Sequence, residues 1–444
     1  MRSEAGFYWG RRNAARLGLL VLGSVLALPA TAIDIQRWTT SAGSQVLFIE
    51  SHALPMIDVE VSVHGGTAYD PPGKEGLAGL VAENLNDGTA SRDEETLARA
   101  FADHGAQFSV HTDPDRASVS LRTLSAGEQS VPVLAVLQDI LHAPSFPEAA
   151  FQRERARSLT TLKEALAQAD GLAEQAFYPR LFPAHGYGQV LSEASLQSLT
   201  RSDLHLFWSD HYRAAGAVIA LVGDLSPAAA HELAEQLSTA LPAGPAPAEL
   251  PVVSVAAKSG RVDIAHPGAQ AHLLLGLQGI AYGDPDYVAL MVANYVLGGG
   301  GFDSRLTEEV REKRGLVYDV DSHFTPLSLG GSFAISLETR RDQAGQALAL
   351  VIQLLERFVQ NGPTAAELKG AQQHLVGGFA LRLDSNRKQL AFLSNMGFHH
   401  LPADWMEAYP RAIAQLTLAQ VRDAVHRRLH PADLLTVVVG ADAQ

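Results

Sequence analysis

The residue types best suited to chemistry lie in one stretch of the second half of the chain. It begins with four consecutive glycines, Gly298, Gly299, Gly300 and Gly301. Arg311 follows, and Tyr318 comes seven residues later. An arginine guanidinium is a planar and permanently charged donor, which suits a carbonyl oxygen or an oxyanion. This spacing would allow Arg311 and Tyr318 to converge on one extended ligand.

A short helix and a strand must position these two side chains. The segment from Ser304 to Arg314 is typical of a helix, with Ser304 as its N-cap and Gly315 as its end. The alternating residues after Gly315 predict a strand that carries Tyr318. The glycines leave the preceding backbone free to adopt positive φ and to lie close to another chain. Without further context, an arginine on a helix and a tyrosine in a strand are more often solvated or packed than functional.

This stretch resembles the C-terminal half of the pitrilysin-type zinc peptidases, the inverzincins. The resemblance is carried by the glycines, by Ser-Arg-Leu from Ser304, and by Glu-Val-Arg-Glu-Lys-x-Gly-Leu-x-Tyr ending at Tyr318. In that family an Arg and a Tyr at this spacing hold the substrate peptide against the zinc across a closed chamber. The resemblance gives these catalytic roles to Arg311 and Tyr318, and it favours Arg311 over Arg314.

The zinc motif of the family, His-x-x-Glu-His, is lost from the first half of the chain. Gly76-Leu-Ala and the later Gly88-Thr match the residues that frame it. Gly79 and Glu83 stand where the two zinc-binding His should be, and Ala82 replaces the Glu that acts as general base. The resemblance therefore implies no metal and no cofactor in this chain.

The third zinc ligand of the family, a Glu farther along the chain, is also missing. Thr160 or Thr161 stands at the matching position. Glu83 and Glu164 are the nearest substitutes for a hard cation. One carboxylate from each of two helices is weak support for a dedicated site.

Two functions follow from the resemblance. Some family members are heterodimers in which one subunit supplies zinc and base, and the other supplies the Arg and Tyr. This chain resembles the second kind, which implies a paralogous partner that bears the zinc motif and zinc, and a peptide substrate. The glycines would contact that partner or let the substrate pass close to the backbone. The alternative is a catalytically inactive scaffold or peptide-binding homologue.

The first 32 residues have the pattern of a secretory signal peptide. Arg11, Arg12 and Arg16 precede an apolar run from residue 17 to 28, which is short for a membrane span. A small-residue cleavage signal ends at Ala32. We expect cleavage after Ala32, a periplasmic or secreted mature chain, and no stable membrane insertion after cleavage. The small-residue signal argues against an uncleaved anchor.

Composition excludes several classes of function. The chain has 34 basic and 48 acidic residues and a net charge of −14. Removal of residues 1–32, which hold four Arg and one Glu, would bring it to −17 (−14 − 3). Such an acidic chain is a poor candidate for nucleic-acid binding. The absence of cysteine excludes disulfides, thiolate metal sites and cysteine nucleophiles.

The two halves of the mature chain look like copies of one domain. Leu199-Thr and Leu416-Thr each head a helix that leads to a strand ending at Gly223 or Gly440. Both pairs of landmarks are 217 residues apart (416 − 199 and 440 − 223). We expect an α+β protein of two homologous domains, each a mixed antiparallel sheet packed with helices. The resemblance implies that they form a clamshell.

A proline-rich segment separates these halves. Four prolines and one glycine occur between Leu241 and Pro251, which is typical of a linker. The predicted organisation is a signal peptide (1–32), an N-terminal domain (33–241), a linker (242–254) and a C-terminal domain (255–444). Within the N-terminal domain, the alternating patterns at 45–50 and 57–63 predict paired strands.

Overall fold

The computed structural model describes residues 33–254 and 260–442, and the predicted signal peptide lies outside them. The described residues from Ile35 onward form one compact unit with two separate mixed sheets. Within the described residues no helix is both long and apolar enough to span a membrane.

The first sheet has six strands in the order β1-β2-β6-β3-β5-β4. All neighbours are antiparallel except β2 and β6, which are parallel. Every residue of β6 is buried, as expected for an apolar strand in the middle of a sheet covered on both faces. The strands are β1 (Gln36–Thr39), β2 (Gln45–Glu50), β3 (Met56–Val63), β4 (Gln107–Thr112), β5 (Ala117–Leu124) and β6 (Val218–Gly223).

The predicted pairing of the strands at 45–50 and 57–63 is wrong, because β6 lies between them. β2 pairs with β6 in parallel, and β3 pairs with β6 on its other side. The short connection passes over the end of β6, where the Ser51 amide donates to Gly223 O (3.0 Å) and the Asp224 amide donates to Met56 O (2.9 Å). A strand from far along the chain therefore replaces the local partner.

Eight α-helices belong to the described part of the first half. They include α1, which carries the degenerate zinc motif, and the long α4, which packs against α1. The helices are α1 (Leu77–Asn84), α2 (Glu94–Asp103), α3 (Gly127–His142), α4 (Glu148–Leu166), α5 (Ala169–Leu181), α6 (Glu193–Ser198), α7 (Arg201–His211) and α8 (Pro227–Ala240).

The second sheet repeats the pattern of the first with one strand fewer. Its order is β7-β11-β8-β10-β9, and only β7 and β11 are parallel. The predicted duplication is confirmed, since β2, β6, β3, β5 and β4 of the first sheet follow the same order and directions. The strands are β7 (Gly260–Ile264), β8 (Gln270–Gln278), β9 (Val317–Thr325), β10 (Ser332–Arg340) and β11 (Leu435–Val439).

Six helices complete the described part of the second half. A hydrophobic core between them and the second sheet includes the fully buried Leu290, Val351 and Phe358. The helices are α9 (Tyr287–Asn294), α10 (Ala344–Asn361), α11 (Ala365–Gly377), α12 (Asn386–Phe398), α13 (Trp405–Gln415) and α14 (Leu418–Arg428).

The two halves exchange one helix each. Helix α5 of the first half packs against β8 and β11, with Phe177 among Leu274, Ala334 and Val437 of the second sheet. Helix α12 of the second half packs against β2, β3 and β6 of the first sheet. The two helices begin 217 residues apart (386 − 169), so the exchange follows the internal repeat.

The proline-rich segment has no regular secondary structure between Pro242 and Ser254. It nevertheless contacts both halves. The Pro242 carbonyl accepts from the Ala214 amide at 3.3 Å, and Leu250 and Val253 pack with the core around α5. The segment therefore lies along the body of the protein.

Candidate functional site

The glycine segment begins within one π-helical turn and leads toward a second. The first, Tyr295–Gly299, extends α9, and the second, Thr307–Glu312, carries Arg311. The predicted short helix and the following strand are both present, and Ser304 Oγ accepts from the Thr307 amide at 3.4 Å. The hydrogen bonds between residues five apart, which define a π-helical turn, were not predicted. π-helical turns occur often at functional sites.

Three of the four glycines are required by packing within their own chain. A Cβ on Gly298 would lie 2.4 Å from Ser322 Oγ, on Gly299 2.6 Å from Asn294 Nδ2, and on Gly300 2.5 Å from the Tyr295 carbonyl oxygen. Positive φ occurs only at Gly301, where a Cβ would meet nothing within 4 Å. The glycines were expected to lie close to another chain. Gly298, Gly299 and Gly300 instead lie close to their own chain, at the end of α9 and in β9.

The structure brings Arg311 and Tyr318 together. The centre of the Arg311 guanidinium is 5.5 Å from the centroid of the Tyr318 ring and 5.1 Å from that of Phe302. Both rings are unusually exposed for aromatic side chains, Phe302 at 71% and Tyr318 at 75%. Two cation–π contacts therefore hold Arg311 between aromatic rings. Sequence reasoning did not single out Phe302, although it follows the glycines directly.

Arg311 differs from its neighbouring cations in its hydrogen bonds. Arg305 donates twice to Glu367 at 2.7 Å, and Arg314 donates to the carbonyl and carboxylate of Glu309 at 2.7 and 2.6 Å. Within the described residues, the Arg311 side chain makes no hydrogen bond. Its one ionic neighbour is Glu312, at 3.7 Å from Nε. The aromatic rings position a guanidinium whose donors are available to a ligand.

Arg311 and Phe302 line an open groove of about 480 Å³, and Tyr318 is not part of its lining. One wall is the glycine segment with Phe302, and another is the edge strand β9 from Asp319 to His323. An edge strand offers free backbone N–H and C=O groups to an extended chain. The arrangement can therefore hold an extended peptide beside a free guanidinium.

The degenerate zinc motif lies in a separate pocket of about 260 Å³, which shares no lining residue with the Arg311 groove. Gly79 leaves open space there, since an added Cβ would meet nothing within 4 Å. Ala82 is buried, and Glu83 is exposed with its carboxylate 3.5 Å from Ser158 Oγ on α4. Thr160 instead donates to the Ala156 carbonyl of its own helix.

The Glu83 and Glu164 pair considered for a hard cation is not assembled. Glu164 is exposed and does not line this pocket. The carboxylate that faces Glu83 is the buried Glu154, which is held by Arg153 at 2.8 Å. Partial withdrawal from water and the charge of Glu154 raise the pKa of Glu83. Within the described residues, no group of three or more His, Asp or Glu side chains is placed to hold a metal ion.

Among the acidic side chains that line this pocket, Asp70 has the largest pKa shift. Its buried carboxylate accepts from the backbone amides of Gly76 and Ala78, both at 2.7 Å, at the start of α1. Burial raises the pKa of Asp70 to about 7, although these hydrogen bonds oppose the shift. Sequence reasoning missed Asp70, because it precedes the helix by several residues and forms no local capping motif.

Comparison with known proteins decides the family. The family described as "Peptidase M16 inactive domain" matches residues 198–375, and "Insulinase (Peptidase family M16)" matches residues 45–193. A solved structure of a peptidase M16 inactive domain from Pseudomonas fluorescens is 35% identical with a TM-score of 0.89. The match covers 93% of this chain and 99% of that chain. The chain belongs to the peptidase M16 family.

Other relatives of this chain are described either as a non-peptidase homologue or as proteases. A "Non-peptidase homolog YmxG" of Helicobacter pylori is 26% identical, with 95% of this chain and 97% of that protein covered. An "Uncharacterized zinc protease YmxG" of Bacillus subtilis is 23% identical over 80% and 86%. A solved protease from Helicobacter pylori shares the fold, with a TM-score of 0.82 at 18% identity over 92% and 100%.

Membership of the M16 family confirms the resemblance that was based on the glycines, Arg311 and Tyr318. It also confirms the α+β fold with two homologous domains. The assignment of Gly79, Ala82 and Glu83 to the positions of the two ligands and the base stays a prediction. The comparisons place the protein among the inactive M16 family members.

Proposed function

We propose that this chain is the non-zinc-binding subunit of a heterodimeric metallopeptidase. In this proposal Arg311 and Tyr318 act on a substrate held at the zinc site of a paralogous partner. The observation that carries the proposal is the environment of Arg311: two exposed aromatic rings position its guanidinium, and its N–H groups make no hydrogen bond within the described residues. A structural arginine would be expected to use those donors within its own chain, as Arg305 and Arg314 do.

The proposed chemistry is stabilisation of charge during peptide hydrolysis. Zinc in the partner would supply the activated water. From this chain, Arg311 donates N–H groups to the substrate carbonyl oxygen as it gains negative charge, and a planar, permanently charged group suits that role. Tyr318 lies against Arg311, and its hydroxyl has no hydrogen bond within the described residues. It would donate to the substrate backbone from the adjacent position.

The partner follows from what this chain lacks. Its own α1 has no histidine and only one carboxylate, Glu83, and that pocket is separate from the Arg311 groove. A second subunit with an intact His-x-x-Glu-His motif would supply the zinc ligands and the base. Gly301, the one glycine of the four with open space around it, is the position best placed to contact that subunit or the substrate.

We also propose that the complex acts outside the cytoplasm. The proposal is supported by the arginines, short apolar run and small-residue signal of residues 1–32, and it agrees with the absence of cysteine. Mass spectrometry of the chain recovered from the periplasm tests this. We expect an N-terminus at Ile33, and an intact Met1 on a membrane-bound chain would contradict the proposal.

The proposed function is tested with purified mature chain and a paralogue from the same genome that carries His-x-x-Glu-His. Each protein and their mixture are given a library of fluorogenic peptides. We expect peptide cleavage only in the mixture, and its loss with a zinc chelator. If a stable complex forms without cleaving any peptide, the chain is a scaffold. Cleavage by this chain alone would contradict the proposal.

A further inference from the structure

A third cavity, of about 340 Å³, lies where the two halves and the proline-rich segment meet. It shares no residue with the Arg311 groove or with the degenerate zinc pocket. The first half, the proline-rich segment and the second half all contribute to its lining. The lining includes His64, Tyr69, Glu249, Tyr282, Phe398 and His399.

Six of the thirteen residues that line this cavity have an aromatic or imidazole ring. Tyr282 and His399 stack with their ring centroids 3.9 Å apart and their planes at 21°. Phe398 lies 4.6 Å from His64, and the His64 ring in turn meets Tyr69 edge-on at 6.5 Å. Aromatic faces arranged in this way favour a flat ring as ligand.

Several polar groups in the cavity have no partner within the described residues. The imidazoles of His64 and His400, the Tyr69 hydroxyl and the Glu249 carboxylate make no hydrogen bond there. Other polar groups of the lining are already used. Asp115 accepts from the Tyr187 hydroxyl and from the Ser328 amide, and His399 contacts Ser328 Oγ at 3.2 Å. Unpaired polar groups around an aromatic cavity indicate a ligand that is both flat and polar.

The charges around the cavity favour a cation. Burial and neighbouring positive charge lower the pKa of His64 to about 4 and that of His399 to about 3, so both rings are neutral at pH 7. Arg116 lies against the Phe398 ring, but Asp113 pairs with it at 3.0 Å. Glu249 therefore supplies the unpaired carboxylate of the cavity, whereas Asp115, whose pKa is raised by burial, is already bound by Tyr187 and Ser328.

We propose that this cavity binds a compound that combines an aromatic ring with a primary ammonium group. The ring lies among Tyr282, Phe398 and Tyr69, and the ammonium group pairs with Glu249 at the mouth. Two sources share this chemistry, a free aromatic amine and the amino-terminal aromatic residue of a peptide. A carboxylate on the ligand is disfavoured, because no unpaired cationic side chain faces the cavity among the described residues.

Binding at this place has a consequence for the whole protein. The ligand contacts the first half, the second half and the segment that joins them. It therefore stabilises their native arrangement by mass action, since the unfolded chain offers no such site. The melting temperature rises with ligand concentration.

Isothermal titration calorimetry on the mature chain tests the proposal, with tryptamine, the tripeptide Trp-Gly-Gly and indole-3-propionate as probes. We expect tryptamine to bind and to raise the melting temperature, and we expect no binding of indole-3-propionate. Glu249→Gln is expected to weaken tryptamine binding about tenfold or more. The control Glu356→Gln alters an exposed glutamate on α10 outside the cavity and leaves the affinity unchanged.

The results distinguish the two sources of the ligand and show whether the proposal fails. Binding of Trp-Gly-Gly as tight as that of tryptamine supports the site and assigns it to peptide amino termini. Binding of tryptamine alone supports the site and assigns it to free amines. The proposal is overturned if neither amine binds, if indole-3-propionate binds as well as tryptamine, or if Glu249→Gln and Glu356→Gln behave alike.

Discussion

Single side chains in this protein are distinguished by the groups that they contact. Arg311 and Arg314 lie three residues apart, yet Arg314 is bound to Glu309 while Arg311 rests between Phe302 and Tyr318. The family pattern predicted the choice of Arg311, and the structure adds a physical basis for it. The pattern could not predict the aromatic contact from Phe302, because that depends on how the glycine segment folds back on β9.

Asp70 gives a prediction at the scale of one residue. Its pKa is raised from 3.8 to about 7, so the folded chain keeps a proton that the unfolded chain loses near pH 4. This contribution to stability is present at low pH and is lost as the pH rises from about 4 to about 7. Asp70→Asn should become progressively more stable than the wild type over that range, by at most about 4 kcal/mol.

Urea unfolding at pH 4.5 and 7.5 measures this difference. Asp103→Asn, at the exposed end of α2, is the matched control and should follow the wild type at both pH values. Parallel stability profiles for Asp70→Asn and the wild type would show that the burial of Asp70 has no energetic effect.

The helices and strands contact one another in an arrangement that differs from their order along the chain. Local patterns predicted the helix that carries Arg311 and the strand that carries Tyr318, since these depend on neighbours along the chain. The place of β6 between β2 and β3 and the exchange of α5 and α12 depend on contacts between distant residues. A local pattern could not reveal them, and the 217-residue repeat showed only that the two halves are alike.

Gly397 provides a test of the exchange at the scale of an element. A Cβ at this position of α12 would lie 2.5 Å from Val218 Cγ1 and 2.6 Å from Leu47 Cδ1 of the first sheet. Gly397→Ala should therefore lift the helix from the sheet and destabilise the protein by about 1–3 kcal/mol. The free energy of unfolding in urea measures the effect.

The control for Gly397 is a glycine in another helix with space around it. A Cβ on Gly370, within α11, would meet nothing within 4 Å. Gly370→Ala should stabilise the protein by about 0.5–1 kcal/mol through helix propensity alone. Equal effects of the two substitutions would mean that α12 does not pack on the first sheet as described.

The whole molecule is a pair of interlocked copies joined by a segment that lies along both of them. Each sheet is covered on one face by a helix of the other half, so neither half has a complete core alone. The predicted duplication is confirmed by the matching strand order of the two sheets, whereas the bounds of the linker stay a prediction. Neither prediction indicated that each half depends on the other for its stability.

A cut in the linker tests this dependence. A protease site inserted between Pro245 and Ala246, both exposed, would allow cleavage without disturbing either sheet. The two fragments should stay together in native size-exclusion chromatography, because each buries a helix in the other, and should separate in urea. Fragments that separate in native buffer would contradict the interlocked arrangement.

The proposed function depends most on Arg311 acting at the zinc site of a partner. The direct measurement is kcat of the reconstituted complex with Arg311→Ala, beside Arg314→Ala as the control. We expect Arg311→Ala to form the complex with unchanged affinity and to lower kcat by about 10²–10³-fold, as removal of an oxyanion donor does. Arg314→Ala should stay within about twofold of the wild type, since Arg314 is bound to Glu309. Wild-type kcat in the Arg311→Ala complex would contradict the account.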